Sequence, residues 1–225
     1  PFDGVLSTGD TLRLVNIIGN FNGKAGTRVL LGAHYDTRPR ADRDPDPARR
    51  DEPIVGANDG ASGVAVLLEI ARLLGESEPP VGVDIVLFDG EDYGEEGNPD
   101  DYCLGSAWFA AHLRGYRPVA VVVVDMIGER GVEIPVEGYS GRYAPRVVDE
   151  LWGIAGDLAV DAFVRKPGPA VIDDHVPFIR EGLQAVDLID FEYPWWHTLE
   201  DTPDKCSAES LEAVGTVLVA WIWSL

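Results

Sequence analysis

The chain has 225 residues, 45% of them apolar and 25% charged, a composition typical of an ordinary globular domain. Its 39 acidic residues outnumber 18 Lys and Arg residues, which gives a formal net charge of −21. A polyanion of this strength repels phosphate backbones and anionic lipid headgroups, so the composition argues against nucleic-acid and membrane-surface partners. It favours cations, including metal ions and the amino termini of peptides.

Apolar and turn-rich segments alternate from about Thr11 onward. In chain order, the patterns predict strands over 12–18 and 29–33, a helix over 62–74, a strand over 83–88, a helix over 106–113, a strand over 119–124, helices over 145–158 and 176–180, a strand over 185–189 and a closing helix over 207–223. Strands that alternate with helices imply a largely parallel sheet covered on both faces, and no linker divides the chain.

The segments between these elements are predicted to be loops and turns. The segment 36–53 is charged and rich in proline, which indicates a surface loop, and residues 23–26 predict a hairpin turn. The strings GNFNGK at 19–24 and GYSG at 138–141 each fall one residue short of a phosphate-binding loop or a nucleophile elbow, so both predict turns. The chemistry is therefore expected elsewhere, where strands end and loops begin.

Acidic and imidazole side chains follow several strands directly. They occur in the strings LLGAHYDT (His34, Asp36), GANDGASG (Asp59), LFDGEDYG (Glu91, Asp92), VVVVDMIG (Asp125) and YPWWHTLEDT (His197). Taken singly, each has a structural interpretation, such as a helix cap or a solvated charge. As an ordered series delivered to one edge of a sheet, they predict a metal site. Carboxylates and imidazoles in this ratio suit zinc with three protein ligands and an open position, and other divalent metals fit the same donors.

In this order, the strings HYD, GANDGASG, DGED, DDHVPF and WHTLEDT resemble the zinc-dependent glutaminyl cyclases and their relatives, the co-catalytic di-zinc aminopeptidases. The resemblance runs from about Leu12 to the C-terminus. It implies a three-layer α/β/α sandwich around a mixed, mostly parallel sheet. It also implies one catalytic domain over residues 1–225, without the helical segment that family members usually carry before the first strand.

The resemblance assigns roles to the candidate residues. In both branches of the family, Asp59, Asp92 and His197 would hold zinc, and Glu91 would be the general base and acid. In the cyclases one zinc is held, and Asp125 and Asp173 join Glu91 in a hydrogen-bonded acid network. The resemblance also implies that Trp196 walls the substrate pocket, with Trp195, Tyr193 or Tyr93 as a second wall.

In the aminopeptidases, the same positions would build a two-zinc centre. His34 and Asp125 would hold the second ion, Asp59 would bridge the two, and Asp36 would orient His34. Two features favour the cyclase branch: Trp196 immediately precedes His197, and DDHVPFIREGL resembles the cyclase segment that supplies Asp173. Two departures affect the site: Asp92 replaces the usual Glu, and Asp187 stands where animal cyclases place a His.

The implied activity is conversion of the N-terminal glutamine of a peptide or protein to pyroglutamate, with release of ammonia. The first alternative is a di-zinc aminopeptidase that hydrolyses N-terminal residues from peptides. The second is a binding protein that grips peptide termini without turnover, and the intact Glu91 argues against it, since a binder needs no proton shuttle.

The sparse cysteines bear on location. Cys103 and Cys206 exclude a disulfide framework and a multi-cysteine zinc cluster, and they form either one long-range bridge or two buried thiols. A bridge would indicate a periplasmic or secreted protein, which is the location expected here, although no signal segment is visible in the sequence. The most apolar stretch, 213–225, is shorter than the roughly 18 to 20 residues of a membrane span, so none is expected.

Overall fold

The computed structural model describes residues 1–95 and 97–225. In chain order the elements are β1 (Phe2–Val5), β2 (Thr11–Leu14), β3 (Ile17–Phe21), β4 (Arg28–His34), α1 (Ala61–Glu76), β5 (Gly82–Phe88), α2 (Leu104–Ala111), β6 (Val121–Asp125), β7 (Ile134–Val136), α3 (Gly138–Tyr143), α4 (Pro145–Asp157), β8 (Phe163–Pro167), α5 (His175–Arg180), β9 (Ala185–Ile189) and α6 (Ala208–Ser224). Single 3₁₀ turns lie at Pro47–Arg49, Pro99–Asp101 and Pro203–Lys205.

Five strands form the central sheet in the order β3-β5-β4-β6-β9. The pairings of β5 with β4, β4 with β6, and β6 with β9 are parallel, and β3 adds an antiparallel edge. This confirms the mixed, mostly parallel sheet. Because four strands run in the same direction, the loops that follow β4, β5, β6 and β9 all leave from one edge of the sheet, where α/β proteins place their ligands.

Helices cover both faces of the sheet, which confirms the three-layer arrangement. Strand residues alternate between two cores: Leu31 packs with α1, α4 and α6 on one face, and Leu30 packs with residues of α2 and α5 on the other. The four valines of β6 are each at most 1% exposed, so this strand is buried on both faces as the apolar run predicts.

The start of the chain departs from the sequence prediction. The strand predicted over 12–18 is two strands, since β2 pairs with β1 and β3 pairs with β5. Between them, the side-chain amide of Asn16 donates to the Gly105 carbonyl. The hairpin predicted at 23–26 is wrong, since β5 lies between β3 and β4. The carboxylate of Asp84 on β5 accepts hydrogen bonds from Asn20 of β3 (2.5 Å) and Arg28 of β4 (2.7 Å), which ties both neighbours to β5.

Helix α1 approaches the sheet closely at Gly63. A Cβ atom there would lie 2.3 Å from the Val124 carbonyl oxygen and 3.0 Å from the Ala33 Cβ. Only glycine permits this approach without displacing the helix. Because α1 begins just after Asp59, the contact at Gly63 sets how near Asp59 comes to the ends of β4 and β6.

We expect Gly63→Ala to lower the free energy of unfolding by about 1–3 kcal/mol, since the added methyl group meets backbone that cannot yield. Gly75→Ala in the same helix is the matched control, because no heavy atom lies within 4 Å of its would-be Cβ. It should raise stability by about 0.5–1 kcal/mol. Urea unfolding measures both, and equal effects at the two positions would contradict the close approach.

Candidate functional site

Three side chains from separate parts of the chain meet at the carboxyl edge of the sheet. The donor atoms of Asp59, Asp92 and His197 all lie within 4.8 Å of one another. His197 Nε2 lies 3.3 Å from an Asp92 oxygen and 3.7 Å from an Asp59 oxygen. Donors bound at about 2.0–2.1 Å to a tetrahedral zinc ion stand about 3.3 Å apart, so these separations fit one shared ion.

The surroundings of these three residues also fit a cation. All three side chains are buried. Asp92 Oδ2 has no hydrogen-bond partner among the described residues. A buried carboxylate oxygen without a partner is costly, and a bound cation would satisfy it. The donor set of two carboxylates and one imidazole is one that zinc uses in catalytic sites.

A second group of possible ligands shares Asp59 with the first. His34 Nε2 lies 3.1 Å from an Asp125 oxygen and 3.2 Å from an Asp59 oxygen. Burial alone would lower the pKa of His34, but the Asp125 carboxylate helps to raise it well above its usual value. Burial raises the pKa of Asp125 to about 7, against the opposing effect of His34. His34 and Asp125 therefore interact as a buried, proton-sharing pair.

Asp36 holds the turn that carries the acidic pair. Its two carboxylate oxygens accept the backbone N–H groups of Glu91 and Asp92, each at 3.1 Å. Its carbonyl oxygen lies 3.1 Å from His34 Nδ1. Asp36 thus orients the imidazole of His34 and also fixes the backbone at Glu91 and Asp92, a second task that the sequence pattern did not indicate.

Glu91 lies next to Asp92 on one side and to a set of buried acids on the other. Donor atoms of Glu91, Cys103 and Asp173 lie within 4.8 Å of one another, and the Cys103 thiol donates to Glu91 Oε1 at 3.3 Å. Burial raises the pKa of Glu91 well above its usual value, and Asp92 and Asp173 add to this against the opposing effect of His34. A carboxylate with a raised pKa suits a group that both accepts and donates a proton near neutral pH.

Behind Asp173 lies a fully buried polar cluster that also contains Asp174, Asp187, His175 and Glu137. Burial, reinforced by Asp173, raises the pKa values of both Asp174 and Asp187 well above normal. His175 Nε2 lies 3.2 Å from a Glu137 oxygen. Asp174 and Asp187 therefore favour the protonated form, whereas Glu137, beside His175, favours the ionised form.

The turn predicted over 138–141 is instead the first part of α3. Glu137 precedes this helix, and its carboxylate accepts the backbone N–H groups of Tyr139 (2.9 Å) and Ser140 (2.6 Å). A carboxylate in this place satisfies amides that a helix start otherwise leaves free. The sequence gives little signal for this cap, because Glu is not among the residues that usually cap helices.

A cavity of about 350 Å³ is lined by Glu91 together with Asp59, Asp92 and His197. Trp196 lines it, with its ring 3.9 Å from the His197 ring. Trp195 and Tyr93 are not among the described residues that line the cavity. Trp195 lies beneath the Lys205 ammonium group and Tyr93 beneath the Arg40 guanidinium group, and both are more than a third exposed.

Other residues form the walls that the sequence did not predict. Beside Trp196, the larger apolar and aromatic side chains at the cavity are those of Tyr102, Met126, Val171, Ile172, Ile189 and Phe191. Tyr193, the other candidate for a wall, is buried and donates to Asp201 at 2.8 Å. Asp201 in turn accepts the backbone N–H groups of Asn58 and Asp59. Tyr193 and Asp201 therefore support the turn that carries Asp59.

Cys103 and Cys206 are both free thiols, so the long-range bridge does not form. Cys103 instead contacts Glu91, and the backbone at Cys206 pairs with that at Glu129 in a single antiparallel β-bridge. The extracytoplasmic location therefore stays a prediction from sequence. Within the described residues, no helix has the length and apolar character needed to cross a membrane.

A model of peptidase family M28 matches residues 16–222. The chain belongs to this family. Glutaminyl-peptide cyclotransferase from Bos taurus is 26% identical over 92% of this chain and 65% of its own length. The chain thus spans less than two thirds of that curated relative. The family resemblance seen in the sequence is confirmed.

Solved structures of both branches superpose closely. Tannerella forsythia glutaminyl cyclase is 39% identical with a TM-score of 0.93, over 100% of this chain and 83% of that one. A leucine aminopeptidase precursor from Bacteroides thetaiotaomicron is 35% identical with a TM-score of 0.96, over 100% of this chain and 81% of that one. The likeness extends to the whole fold, and overall similarity alone does not separate the two activities.

Glu137 supplies a pH-dependent part of the stability. Burial alone would raise its pKa, but hydrogen bonds and charge from His175 and hydrogen bonds from Ser140 lower it to about 2, below the ordinary 4.5. The ionised carboxylate therefore stabilises the fold above about pH 4.5, and this contribution is lost as the pH falls toward 2.

We expect Glu137→Gln to lower the free energy of unfolding by about 1–3 kcal/mol at pH 7, with the gap to the unsubstituted protein narrowing as the pH falls below about 4.5. Urea titrations at a series of pH values measure this. Glu133→Gln, which removes an exposed ion pair with Lys166, is the control and should cost less than about 1 kcal/mol. A gap for Glu137→Gln that stays constant down to low pH would contradict the assignment.

Proposed function

We propose that this protein is a zinc-dependent glutaminyl-peptide cyclotransferase that converts the N-terminal glutamine of peptides and proteins to pyroglutamate and releases ammonia. The observation that carries the proposal is the position of Glu91. Its carboxylate faces a cavity, adjoins the Asp59–Asp92–His197 group, and has buried acids behind it that raise its pKa. The bacterial glutaminyl cyclase of the same fold at 39% identity supports the same choice.

Asp59, Asp92 and His197 would hold one zinc ion, and their buried, closely spaced donors fit it. Bound there, zinc would act as a Lewis acid toward the side-chain carbonyl of the substrate glutamine. The rest of the chemistry falls to the chain itself. The cavity must hold the α-amine against the γ-carbon, which turns the reaction into an intramolecular attack with a large entropic advantage.

Glu91 is the proposed proton carrier. It accepts a proton from the substrate's α-ammonium group, which frees the amine to attack the γ-carbon. As the ring closes, the attacking nitrogen releases its second proton to solvent, and Glu91 returns the first proton to the departing nitrogen, which leaves as ammonia. Both steps require a carboxyl whose pKa lies near the working pH, and burial together with Asp92 and Asp173 raises it in that direction. Asp125 and Asp173 complete the proposed acid network, and Trp196 provides the wall beside the substrate.

A di-metal aminopeptidase is the second candidate, and one specific observation favours it. Asp59 belongs to both ligand groups, as a bridging carboxylate in a two-metal centre would. In that case Glu91 would activate water in place of carrying a proton for the substrate amine. Against it, one Asp125 oxygen already accepts the Met126 backbone N–H at 2.8 Å. We therefore propose one zinc ion.

The first test incubates the zinc-loaded protein with a glutamine-initiated and a leucine-initiated peptide, followed by mass spectrometry. We expect loss of ammonia from the first peptide and no change in the second. Glu91→Gln should lower the rate by about 10²–10⁴-fold, the usual share of general acid–base catalysis. Glu200→Gln, which alters an exposed ion pair with Lys205, should leave the rate unchanged. Release of leucine would favour the aminopeptidase.

The second test counts metal ions by elemental analysis of purified protein. We expect about one zinc per chain, retained in His34→Asn and lost in His197→Asn, because only His197 belongs to the proposed ligand set. A two-metal centre predicts about two ions per chain and loss of one of them in His34→Asn. Retention of full zinc by His197→Asn would show that the ligand set is wrong.

A further inference from the structure

The loop 36–53, predicted from its composition to be a surface excursion, contains a fully buried arginine. Arg38 has no exposed surface. Its Nη1 donates to the side chain of Asp92 (Oδ1, 2.9 Å) and to the Asp92 backbone carbonyl (3.0 Å). This one nitrogen of the guanidinium group thus fixes both the backbone and the side chain of a proposed zinc ligand. It bonds Oδ1 of Asp92, while Oδ2 has no partner among the described residues.

The other side of the same guanidinium group reaches a second ligand through Asp42. Arg38 Nε and Nη2 donate to the two Asp42 oxygens at 2.7 and 2.9 Å. Asp42 Oδ1 lies 3.3 Å from His197 Nδ1. This contact is at ion-pair distance without hydrogen-bond geometry, and a carboxylate beside the far nitrogen favours the ring orientation in which the other nitrogen faces the metal. Arg38 is therefore linked to two of the three proposed ligands.

Backbone contacts hold this part of the loop against the ligand turn. The Arg43 backbone N–H donates to the His197 carbonyl at 3.1 Å, and an Asp44 oxygen accepts the Leu199 backbone N–H at 3.1 Å. His197 itself has a φ of 57°, in the left-handed region that a non-glycine residue adopts only when its surroundings hold it there. The loop supplies part of that support.

Charge alone does not explain an arginine in this position. A buried cation beside a proposed zinc site repels the metal ion, so an electrostatic role would weaken binding. The geometry offers a different role, because a planar guanidinium group can bond Asp42, Asp92 and the Tyr102 hydroxyl (3.2 Å) at the same time. A lysine ammonium group on a flexible stem cannot match this set of directions.

We propose that Arg38, acting with Asp42, is a positioning residue that orients Asp92 and His197 for metal binding. The inference rests on the ligand set of the proposed function and adds two residues from a loop that lies outside that set. It applies equally to a cyclase and to an aminopeptidase, since both would use Asp92 and His197.

The experiment measures zinc affinity by competition with a chromophoric chelator, and the visible absorption spectrum of the cobalt(II)-substituted protein. We expect Arg38→Met and Arg38→Lys each to weaken zinc binding by about 10- to 100-fold and to alter the cobalt bands. Asp42→Asn should weaken binding by about 10-fold, since it loses the charged partner of His197. Arg49→Met removes an exposed pair with Glu52 in the same loop and should bind zinc within about twofold of the unsubstituted protein.

Three results would overturn the proposal. Wild-type affinity and an unchanged cobalt spectrum in Arg38→Lys would mean that charge, not the forked geometry, is what matters. Lower stability of the metal-free Arg38 variants with unchanged zinc affinity would mean that Arg38 only supports the fold. Failure of the unsubstituted protein to bind zinc would remove the ligand set and this inference with it. If Arg38→Met does not fold, Arg38→Lys and Asp42→Asn decide the question.

Discussion

The site depends on how this fold compensates buried negative charge. Four parallel strands bring a crowd of carboxylates to one edge, and most of them are buried. Isolated buried carboxylates are too costly to persist. Several groups compensate this charge. The His34 imidazole contacts Asp59 and Asp125, the Arg38 guanidinium group contacts Asp92, and backbone N–H groups at the start of α3 bond Glu137. At Asp92 Oδ2, which has no hydrogen-bond partner among the described residues, the proposed metal ion would complete the balance.

The same crowding gives Glu91 its character. Burial raises the pKa of Glu91, and the nearby Asp92, Asp173 and Asp174 raise it further, because another negative charge beside them is unfavourable. A cavity on one side leaves the group accessible to a substrate. The cluster behind Asp173 is therefore more than packing, because Asp173 and Asp174 help to raise the pKa of Glu91.

Much of this arrangement could be predicted from sequence, because it follows from local patterns. Apolar runs that end in His34 and Asp125 place those two residues where parallel strands end. Asp59, Asp92 and His197 come from the loops that follow the strands and meet at the same edge. Partner choice within the sheet was less predictable. The turn at 23–26 looks like that of a hairpin, yet β5 lies between β3 and β4, and its Asp84 pairs with residues of both neighbours. No local signal encodes such a long-range contact.

The walls and supports of the site were also beyond sequence reasoning. Trp195 and Trp196 are neighbours in sequence, but of these two residues only Trp196 lines the cavity. Adjacent side chains in a turn point in different directions. Arg38 lies in a segment whose charges and prolines indicate solvent exposure. Its partners Asp92 and Tyr102 are more than fifty residues away, so only the folded chain reveals why that one arginine is buried.

Loop 36–53 also has a practical consequence for protein engineering. Long connections at the surface are the usual places for tags, grafted epitopes and circular permutation. Here the Arg38 side chain and the Arg43 backbone tie the loop to the turns bearing Asp92 and His197, and Ala41 is completely buried. A library that varies loop length should leave that stretch intact and use the exposed tip around Arg49–Asp51, where the described side chains face solvent.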